Sequence, residues 1–256
     1  MRAANQQIVL FAVISMSFAV TLAGATDQIN FTSTTEAATV IELFTSEGCS
    51  SCPRADAWMS QLKTCSDLWK NIVPAVFHVD YWDGLGWPDR FAKREFTQRQ
   101  RRYALSWPTG AVYTPMFVVN GKEWRGWFDS EASPRRSENI GTLSVTLTGG
   151  TEVAATFTGG KLRSVVLEVA LLGGNLESDV NRGENKGRKL HHDFVVLQFA
   201  RIDMAIDGDR WTGATSFPKE SRRAKPSALV AWVKQGETDP PIQATGGWFN
   251  AYGLHR

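Results

Sequence analysis

The sequence predicts an α/β domain followed by a mostly antiparallel β-sandwich domain. An apolar run over residues 40–44 ends in a small-residue turn, which opens into the helix pattern of residues 54–62. A second buried strand follows at residues 72–80, and this strand, helix, strand order favours parallel pairing. From residue 142 onward, short strands separated by glycine pairs favour an antiparallel sandwich of roughly 100 residues.

Residues 1–25 have the pattern of a signal peptide. Arg2 gives a positive start, residues 8–22 are an apolar core too short to span a membrane, and Ala23, Gly24 and Ala25 form an A-x-A cleavage site. A single N-terminal membrane anchor is the alternative. We therefore expect export to the periplasm or secretion, with no stable membrane insertion after cleavage. Residues 26–38 are predicted to be a loose lead-in.

Composition indicates an ordinary globular protein. The 256 residues are 43% hydrophobic and 21% charged, with a formal net charge of +2, so nothing in the charge balance indicates a nucleic-acid partner. Residues 88–105 are predicted to be a helix rich in arginine and lysine. Acidic residues are interspersed there, so a solvated basic face is favoured over a nucleic-acid or membrane surface.

Two cysteines with a three-residue offset lie where the first turn opens into the helix. Cys49 should precede the first helical turn, where unpaired N–H groups and the helix dipole favour a thiolate, and Cys52 should lie one turn further in. Cys49 is the candidate nucleophile and Cys52 the cysteine that resolves a mixed disulfide. A structural disulfide or half of a metal site are the alternatives. Cys65, after the helix, is interpreted as a buried or partly buried structural thiol, with regulatory pairing and an intermolecular link as the alternatives.

An aromatic loop follows the second strand. Tyr81, Trp82 and Trp87 lie at the carboxyl end of that strand, on the sheet edge predicted for Cys49. These rings form either an apolar wall for a polypeptide or small-molecule substrate, or a plug for the top of the core.

A proline opens the next predicted strand. Asn120 and Gly121 then separate two apolar runs and predict a hairpin. If the peptide bond of Pro115 is cis, the Thr114 backbone is exposed beside the cysteines and can pair with an extended substrate. A trans proline opening a strand is the alternative.

These motifs resemble the thioredoxin fold, and more specifically the exported bacterial thioredoxin-like family DUF1223. The resemblance rests on residues 42–53, on residues 77–87 and on Tyr113, Thr114 and Pro115, and it extends from about residue 40 to residue 247. It implies a thioredoxin-like domain over residues 39–129 with an enlarged middle, and substrate contacts from Tyr113, Thr114 and Pro115. The buried acid of thioredoxins has no residue in strict register, and Glu42 is its nearest substitute as a general base. An exposed carboxylate at a strand end is the alternative for Glu42.

The C-terminal part is divided from the first by residues 130–141, which are predicted to be a linker or a frayed helix. Residues 142–256 are then the β-sandwich-like domain. Within it, the polar, glycine-punctuated residues 180–192 are predicted to be a hairpin loop, either solvated or contacting the first domain or a partner. Neighbouring His191 and His192 point to opposite faces of a strand, which argues against a shared metal.

Three classes of function follow. The leading one is an exported thiol–disulfide oxidoreductase acting on a disulfide-containing protein or a small thiol substrate, with an unknown redox partner and no cofactor or resident metal. The second is a copper-handling chaperone that binds Cu(I) through Cys49, Cys52 and either His78 or Cys65. The third is a non-catalytic envelope binding protein in which the β domain contacts the partner. Whether the first class reduces, oxidises or isomerises is left open.

Overall fold

The structure is a computed structural model that describes residues 27–129, 134–219 and 225–249. The predicted signal peptide of residues 1–25 lies outside the described residues, as do residues 130–133 of the predicted linker. No helix in the described ranges is long and apolar enough to cross a membrane.

The described residues form fifteen strands and two α-helices. The elements of the first half are β1 (Gln28–Thr32), β2 (Thr39–Thr45), α1 (Cys52–Gln61), β3 (Ile72–His78), α2 (Arg94–Ser106), β4 (Met116–Val119) and β5 (Lys122–Trp124). Those of the second half are β6 (Thr142–Thr148), β7 (Glu152–Thr158), β8 (Val166–Gly173), β9 (Leu176–Asp179), β10 (Lys189–His192), β11 (Val195–Asp203), β12 (Ala205–Asp207), β13 (Arg210–Ser216), β14 (Ala228–Lys234) and β15 (Gln243–Trp248).

An eight-stranded mixed sheet organises the molecule, in the order β15-β14-β8-β11-β3-β2-β4-β5. Strands β2 and β3 are parallel and are joined through α1, as the apolar runs predicted. The hairpin predicted at Asn120 and Gly121 is confirmed: β4 and β5 pair antiparallel, and both turn residues have positive φ, 49° and 79°.

The second half of the chain completes this sheet. Strand β11 pairs with β3 in parallel, with Val195 opposite Val76, so β3 is an internal strand. On the other side of β11, strands β8, β14 and β15 continue the sheet in antiparallel pairing. The sheet is therefore continuous across the predicted domain boundary.

A second sheet of five strands, in the order β1-β6-β7-β13-β12, packs on one face of the large sheet. Strands β8 and β14 contribute to two cores because their successive side chains point to opposite faces. Leu171 and Leu229 pack in the core between the two sheets, whereas Leu172 and Val230 pack in the core that includes β2, β3 and residues of both helices.

The predicted fold class, an α/β thioredoxin-like domain followed by a separate antiparallel β-sandwich domain, is wrong. Strands dominate, the two helices are short, and the large sheets give the molecule a mostly β architecture of the sandwich type. The local strand and helix signals were correct, but the prediction left β3 without its β11 partner, which lies more than a hundred residues further along the chain.

The structure also corrects two smaller predictions from the sequence. The segment of residues 26–38 is not wholly loose, because β1 pairs with β6 along its whole length. The helix predicted at residues 88–105 begins only at Arg94, and its Arg99 is buried instead of contributing to a solvated basic face.

Candidate functional site

Cys49 and Cys52 lie at the junction of β2 and α1, in the geometry that the sequence predicts. Strand β2 ends at Thr45, a tight turn follows, and α1 begins at Cys52. The Cys49 N–H donates to the Ser46 carbonyl and the Cys52 N–H to the Cys49 carbonyl, each at 3.2 Å. Both thiols are free, and their exposures are 1% for Cys49 and 0% for Cys52.

The two thiols differ strongly in acidity. A hydrogen bond from the Cys52 thiol lowers the pKa of Cys49 to about 6, and the Ser51 hydroxyl, 3.3 Å from its sulfur, acts in the same direction against the effect of burial. Burial raises the pKa of Cys52 well above its usual value, and its hydrogen bond to Cys49 adds to this rise. Cys49 is therefore the stronger candidate for a thiolate at neutral pH.

Several residues predicted to bind substrate adjoin Cys49. The Thr114–Pro115 peptide bond is cis, and the Thr114 carbonyl oxygen lies 3.8 Å from the Cys49 sulfur. The Trp82 indole N–H donates to the Thr114 hydroxyl at 2.8 Å. The Tyr81 hydroxyl is buried near the same cysteines, and this burial raises its pKa to about 12. These residues form the wall of the site on the Thr114 side.

Two other predicted substrate contacts are engaged elsewhere. The Tyr113 hydroxyl donates to Glu123, and the guanidinium of Arg125 lies over the Tyr113 ring. The Trp87 indole N–H donates to the Glu47 carboxylate at 2.7 Å. Neither side chain makes a hydrogen bond to the cysteines, so their contribution to the site is indirect.

Glu42 is not placed to act as a general base on the cysteines. Its carboxylate accepts hydrogen bonds from Arg99 and from the Tyr103 hydroxyl, each at 2.6 Å. Both partners are on α2. Since successive side chains of a strand alternate in direction, Glu42 points away from Thr45, which faces Cys52. Its environment is a buried ion network, not the exposed strand end that was the alternative.

The predicted hairpin loop contacts the cysteine turn directly. The Asn185 amide is fully buried and donates to the carbonyls of Glu47 and Cys49, at 2.9 Å each. The Glu184 carboxylate accepts the Ser50 N–H at 3.0 Å. Residues 180–188, here called the clamp loop, therefore hold the backbone on both sides of Cys49.

A buried cluster of ionisable side chains lies behind Cys52. Its members come from five parts of the chain and are each at most 4% exposed: Glu47, Asp56, His78, Asp89 and His192. His78 Nδ1 is 2.6 Å from Asp89 Oδ2. His192 lies between two carboxylates, with Nε2 at 3.3 Å from Glu47 and Nδ1 at 3.7 Å from Asp56. The rings of His78 and His192 meet edge to face, with centroids 5.1 Å apart.

The side chains of this ionic cluster differ in the direction of their pKa shifts. Burial raises the pKa of Asp56, with His192 and His78 opposing the rise. Burial disfavours the charged form of His78, yet Asp89 outweighs burial and raises the pKa of His78. Burial raises the pKa values of Asp89 and Glu47, yet both are lowered overall. At Asp89 the opposing cause is chiefly His78, and at Glu47 it is the hydrogen bonds from His192, Ser178 and Trp87 together. Asp56 is thus the carboxyl most readily protonated in the cluster.

Sequence reasoning missed most of this ionic cluster. His78 and His192 were considered only as metal ligands, and Glu47, Asp56 and Asp89 were given no role. The available signal was the position of polar residues at strand ends and within the first turns of α1, on faces otherwise apolar. Nothing local indicated that β10 would bring His192 to α1.

The described residues contain no group of three or more histidine, cysteine or acidic side chains arranged to hold a metal ion. His78 is engaged with Asp89, and Cys65 is partly exposed and packs at the margin of the core. The copper-binding alternative therefore gains no support from the positions of its candidate ligands.

Comparison with known proteins places the chain in a family. The model of the family described as "Protein of unknown function (DUF1223)" matches residues 40–234, and the chain belongs to this family. The family resemblance stated from the motifs is confirmed, whereas its thioredoxin-like part is not. No curated protein matches the chain.

Two solved structures are similar. One is the crystal structure of protein AGR_C_4864 from Agrobacterium tumefaciens, with a TM-score of 0.62, 26% identity, and coverage of 84% of this chain and 96% of that one. The other is HBP35 of Porphyromonas gingivalis, with a TM-score of 0.52, 18% identity, and coverage of 84% and 76% respectively. The second likeness concerns the fold alone.

Proposed function

We propose that the protein is an exported thiol–disulfide oxidoreductase that uses Cys49 and Cys52. The observation that carries the proposal is the asymmetry of the two thiols: the pKa of Cys49 is lowered to about 6, and that of the adjacent Cys52 is raised by burial. A structural pair has no need of this difference, whereas disulfide exchange needs one ready nucleophile and one protonated resolving thiol. The signal-peptide pattern of residues 1–25 supports export to a compartment where disulfides persist.

The exchange runs in two steps. The Cys49 thiolate attacks one sulfur of a substrate disulfide, forms a mixed disulfide and releases the other sulfur as a thiolate. Cys52 then loses its proton and attacks the Cys49 sulfur, which releases the second substrate thiolate and leaves a Cys49–Cys52 disulfide. The substrate gains two electrons and the protein loses two. The same steps in reverse oxidise a dithiol.

The wall beside Cys49 supports a polypeptide or a small thiol compound as substrate. The Thr114 carbonyl offers a backbone acceptor next to the reacting sulfur, and Trp82 and Tyr81 offer aromatic surface. Cys49 is only 1% exposed, so the clamp loop or the aromatic loop must move aside before a disulfide reaches its sulfur.

The test is thiol exchange with a disulfide-bonded peptide, in protein carrying Cys65→Ser to remove the third thiol. We expect the reduced protein to reduce the peptide stoichiometrically. Cys52→Ser should accumulate a mixed disulfide detectable by mass spectrometry, and Cys49→Ser should be inactive. Equal reaction through either cysteine, or no reaction in protein that is correctly folded, would contradict the proposal.

A further inference from the structure

The buried thiol of Cys52 needs a route for its proton. In the proposed exchange, Cys52 must deprotonate before it attacks the mixed disulfide, yet it is fully buried and its pKa is raised. Solvent cannot take the proton directly from such a position. A group that shares the interior with Cys52 and also reaches water is required.

Asp56 lies on the correct face of α1 to take this role. It is four residues after Cys52, so the two side chains are on the same side of the helix. The Thr45 hydroxyl, at the end of β2, faces both the Cys52 thiol and the Asp56 carboxylate. That hydroxyl and the Asp56 Oδ1 atom are both buried, and neither has a hydrogen-bond partner. A hydroxyl can accept a proton from one neighbour while it donates to the other.

His192 continues the route. Both of its ring nitrogens are buried without a hydrogen-bond partner, and the ring lies between Asp56 and Glu47, 3.7 Å and 3.3 Å away. Buried polar atoms without partners are rare in native proteins, and they call for an explanation other than stability. An imidazole that accepts a proton on one nitrogen and releases it from the other accounts for both orphaned atoms.

A groove connects this pair to solvent. Its volume is about 680 Å³, and it lies between α1 and the β9–β10 hairpin, with Asp56 and His192 in its lining. The lining also includes the exposed residues Gln61, Glu177 and Lys189. The Thr114 side of Cys49, where the substrate is proposed to bind, is not part of this lining.

We propose that Asp56 and His192 form a proton route that serves Cys52 through Thr45 and opens into the α1/β9–β10 groove. The inference rests on the proposed oxidoreductase function. When Cys52 attacks, its proton passes through the Thr45 hydroxyl to the Asp56 carboxylate and then by way of His192 to water. The Cys52–Cys49 bond forms as the bond between Cys49 and the substrate sulfur breaks, and the substrate leaves as a thiolate. Its disulfide is the oxidant.

Other ionisable groups face the pair and define its pH behaviour. Asp56 is approached by His192 from β10, by His78 from β3, by Asp89 from the loop before α2 and by Cys52 from its own helix. His78 Nδ1 is held by Asp89 at 2.6 Å, and the attraction between His78 and Asp56 opposes the rise in the pKa of Asp56. On the far side of His192, the Glu47 carboxylate lies 3.3 Å from Nε2.

The aromatic disulfide dithiobis(nitrobenzoate) separates the two steps in a stopped-flow measurement on Cys65→Ser protein. The first release of coloured thiolate reports attack by Cys49. A second release whose rate does not depend on reagent concentration reports attack by Cys52. In Asp56→Asn we expect this second phase to slow by at least about tenfold near pH 7, with its pH profile moved upward, and the first phase to change less than about twofold. His192→Gln should slow the second phase in the same direction.

Glu177→Gln is the matched control, since it makes the same acid-to-amide change in the lining of the same groove, and its second phase should equal that of the parent. Thr45→Val tests the route without removing a charge, and it covers the case in which Asp56→Asn does not fold. The proton route is overturned if folded Asp56→Asn, or Thr45→Val in its place, keeps the parent rate and pH profile of the second phase. If the parent itself shows no second phase, the oxidoreductase function fails together with the inference.

Discussion

Three neighbours lower the pKa of Cys49 by hydrogen bonding to its sulfur: the Cys52 thiol, the Ser51 hydroxyl and the Thr114 side chain. The sequence predicted a helix N-terminus as the source of activation. In the structure the side chain of Ser51, the residue that caps α1, is directed at the Cys49 sulfur and makes no capping hydrogen bond. Local hydrogen bonds therefore add to the lowering of the Cys49 pKa that is expected from the helix N-terminus.

The low pKa predicts the pH dependence of alkylation at Cys49. Because only the thiolate reacts and it predominates above the pKa, the rate with iodoacetamide should be low at pH 4, rise with a midpoint near 6 and level off by about pH 8. Cys52 should remain unmodified over this range, because burial raises its pKa. The measurement is quantitative mass spectrometry of Cys65→Ser protein after timed labelling. A midpoint near the usual thiol value, about 8.5, would contradict this account.

Asn185 gives a second prediction at the residue scale. Asn185→Ala removes three side-chain hydrogen bonds, two to the carbonyls of Glu47 and Cys49 and one from Arg188. This loss should lower the free energy of unfolding by about 1–3 kcal/mol. Alkylation of Cys49 should also become faster, because the clamp loop is released. Urea unfolding and timed labelling measure the two effects. Asn181→Ala, an exposed asparagine in the same loop, is the control and should change neither.

At the scale of elements, α2 is fixed to the large sheet by a buried ion network. Arg99 donates to Glu42 on β2 and makes a two-pronged hydrogen bond with Glu168 on β8, at 3.0 and 2.9 Å. Lys234 on β14 is 3.3 Å from Glu168. The carboxylates hold the pKa of Arg99 well above its usual value despite burial. This network joins strands from both halves of the chain to one helix.

Removing the shared cation should destabilise the protein strongly. Arg99→Met leaves two buried carboxylates without their main partner, and we expect a loss of about 3–5 kcal/mol in the free energy of unfolding. Arg101→Met, an exposed arginine of the same helix, should cost less than about 0.5 kcal/mol. Urea titrations followed by circular dichroism compare the two. Similar losses in both variants would show that the ion network has no special importance.

The sequence predicted those elements whose signal is local. The strand before Cys49, helix α1, strand β3 and the hairpin at Asn120 and Gly121 all follow from periodicity and turn chemistry. The start of helix α2 is a case in which prediction from local signals fails. Pro88 suits a first helical turn, but the Asp89 carboxylate accepts the N–H groups of Phe91 and of Glu47, and this holds the segment in a loop until Arg94.

Contacts between distant parts of the chain could not be predicted in this way. Alternation along β2 shows that Glu42 and Thr45 face opposite sides, but it does not show which side carries the cysteines. The placement of Asn185 and His192 depends on the β9–β10 hairpin, which has no local link to α1. The site is therefore complete only in the folded chain, where the second half supplies Asn185 and His192.

At the scale of the whole molecule, the continuous sheet predicts cooperative unfolding. Strands β8 and β14 place alternate side chains in two cores, and β11 pairs with β3, so neither half can lose its structure without exposing the other. We expect one transition in urea, with near- and far-ultraviolet circular dichroism coinciding. Two well-separated transitions would indicate that the halves are independent domains.

The reduction potential of the Cys49–Cys52 pair would show whether the protein exchanges thiols and disulfides. Cys65→Ser protein would be equilibrated in glutathione buffers of graded ratio, and its free thiols trapped and counted by mass spectrometry. We predict a reversible two-electron couple, with a potential within the range of known oxidoreductases, about −270 to −120 mV. A pair that stays fully reduced or fully oxidised across all buffers would contradict this prediction.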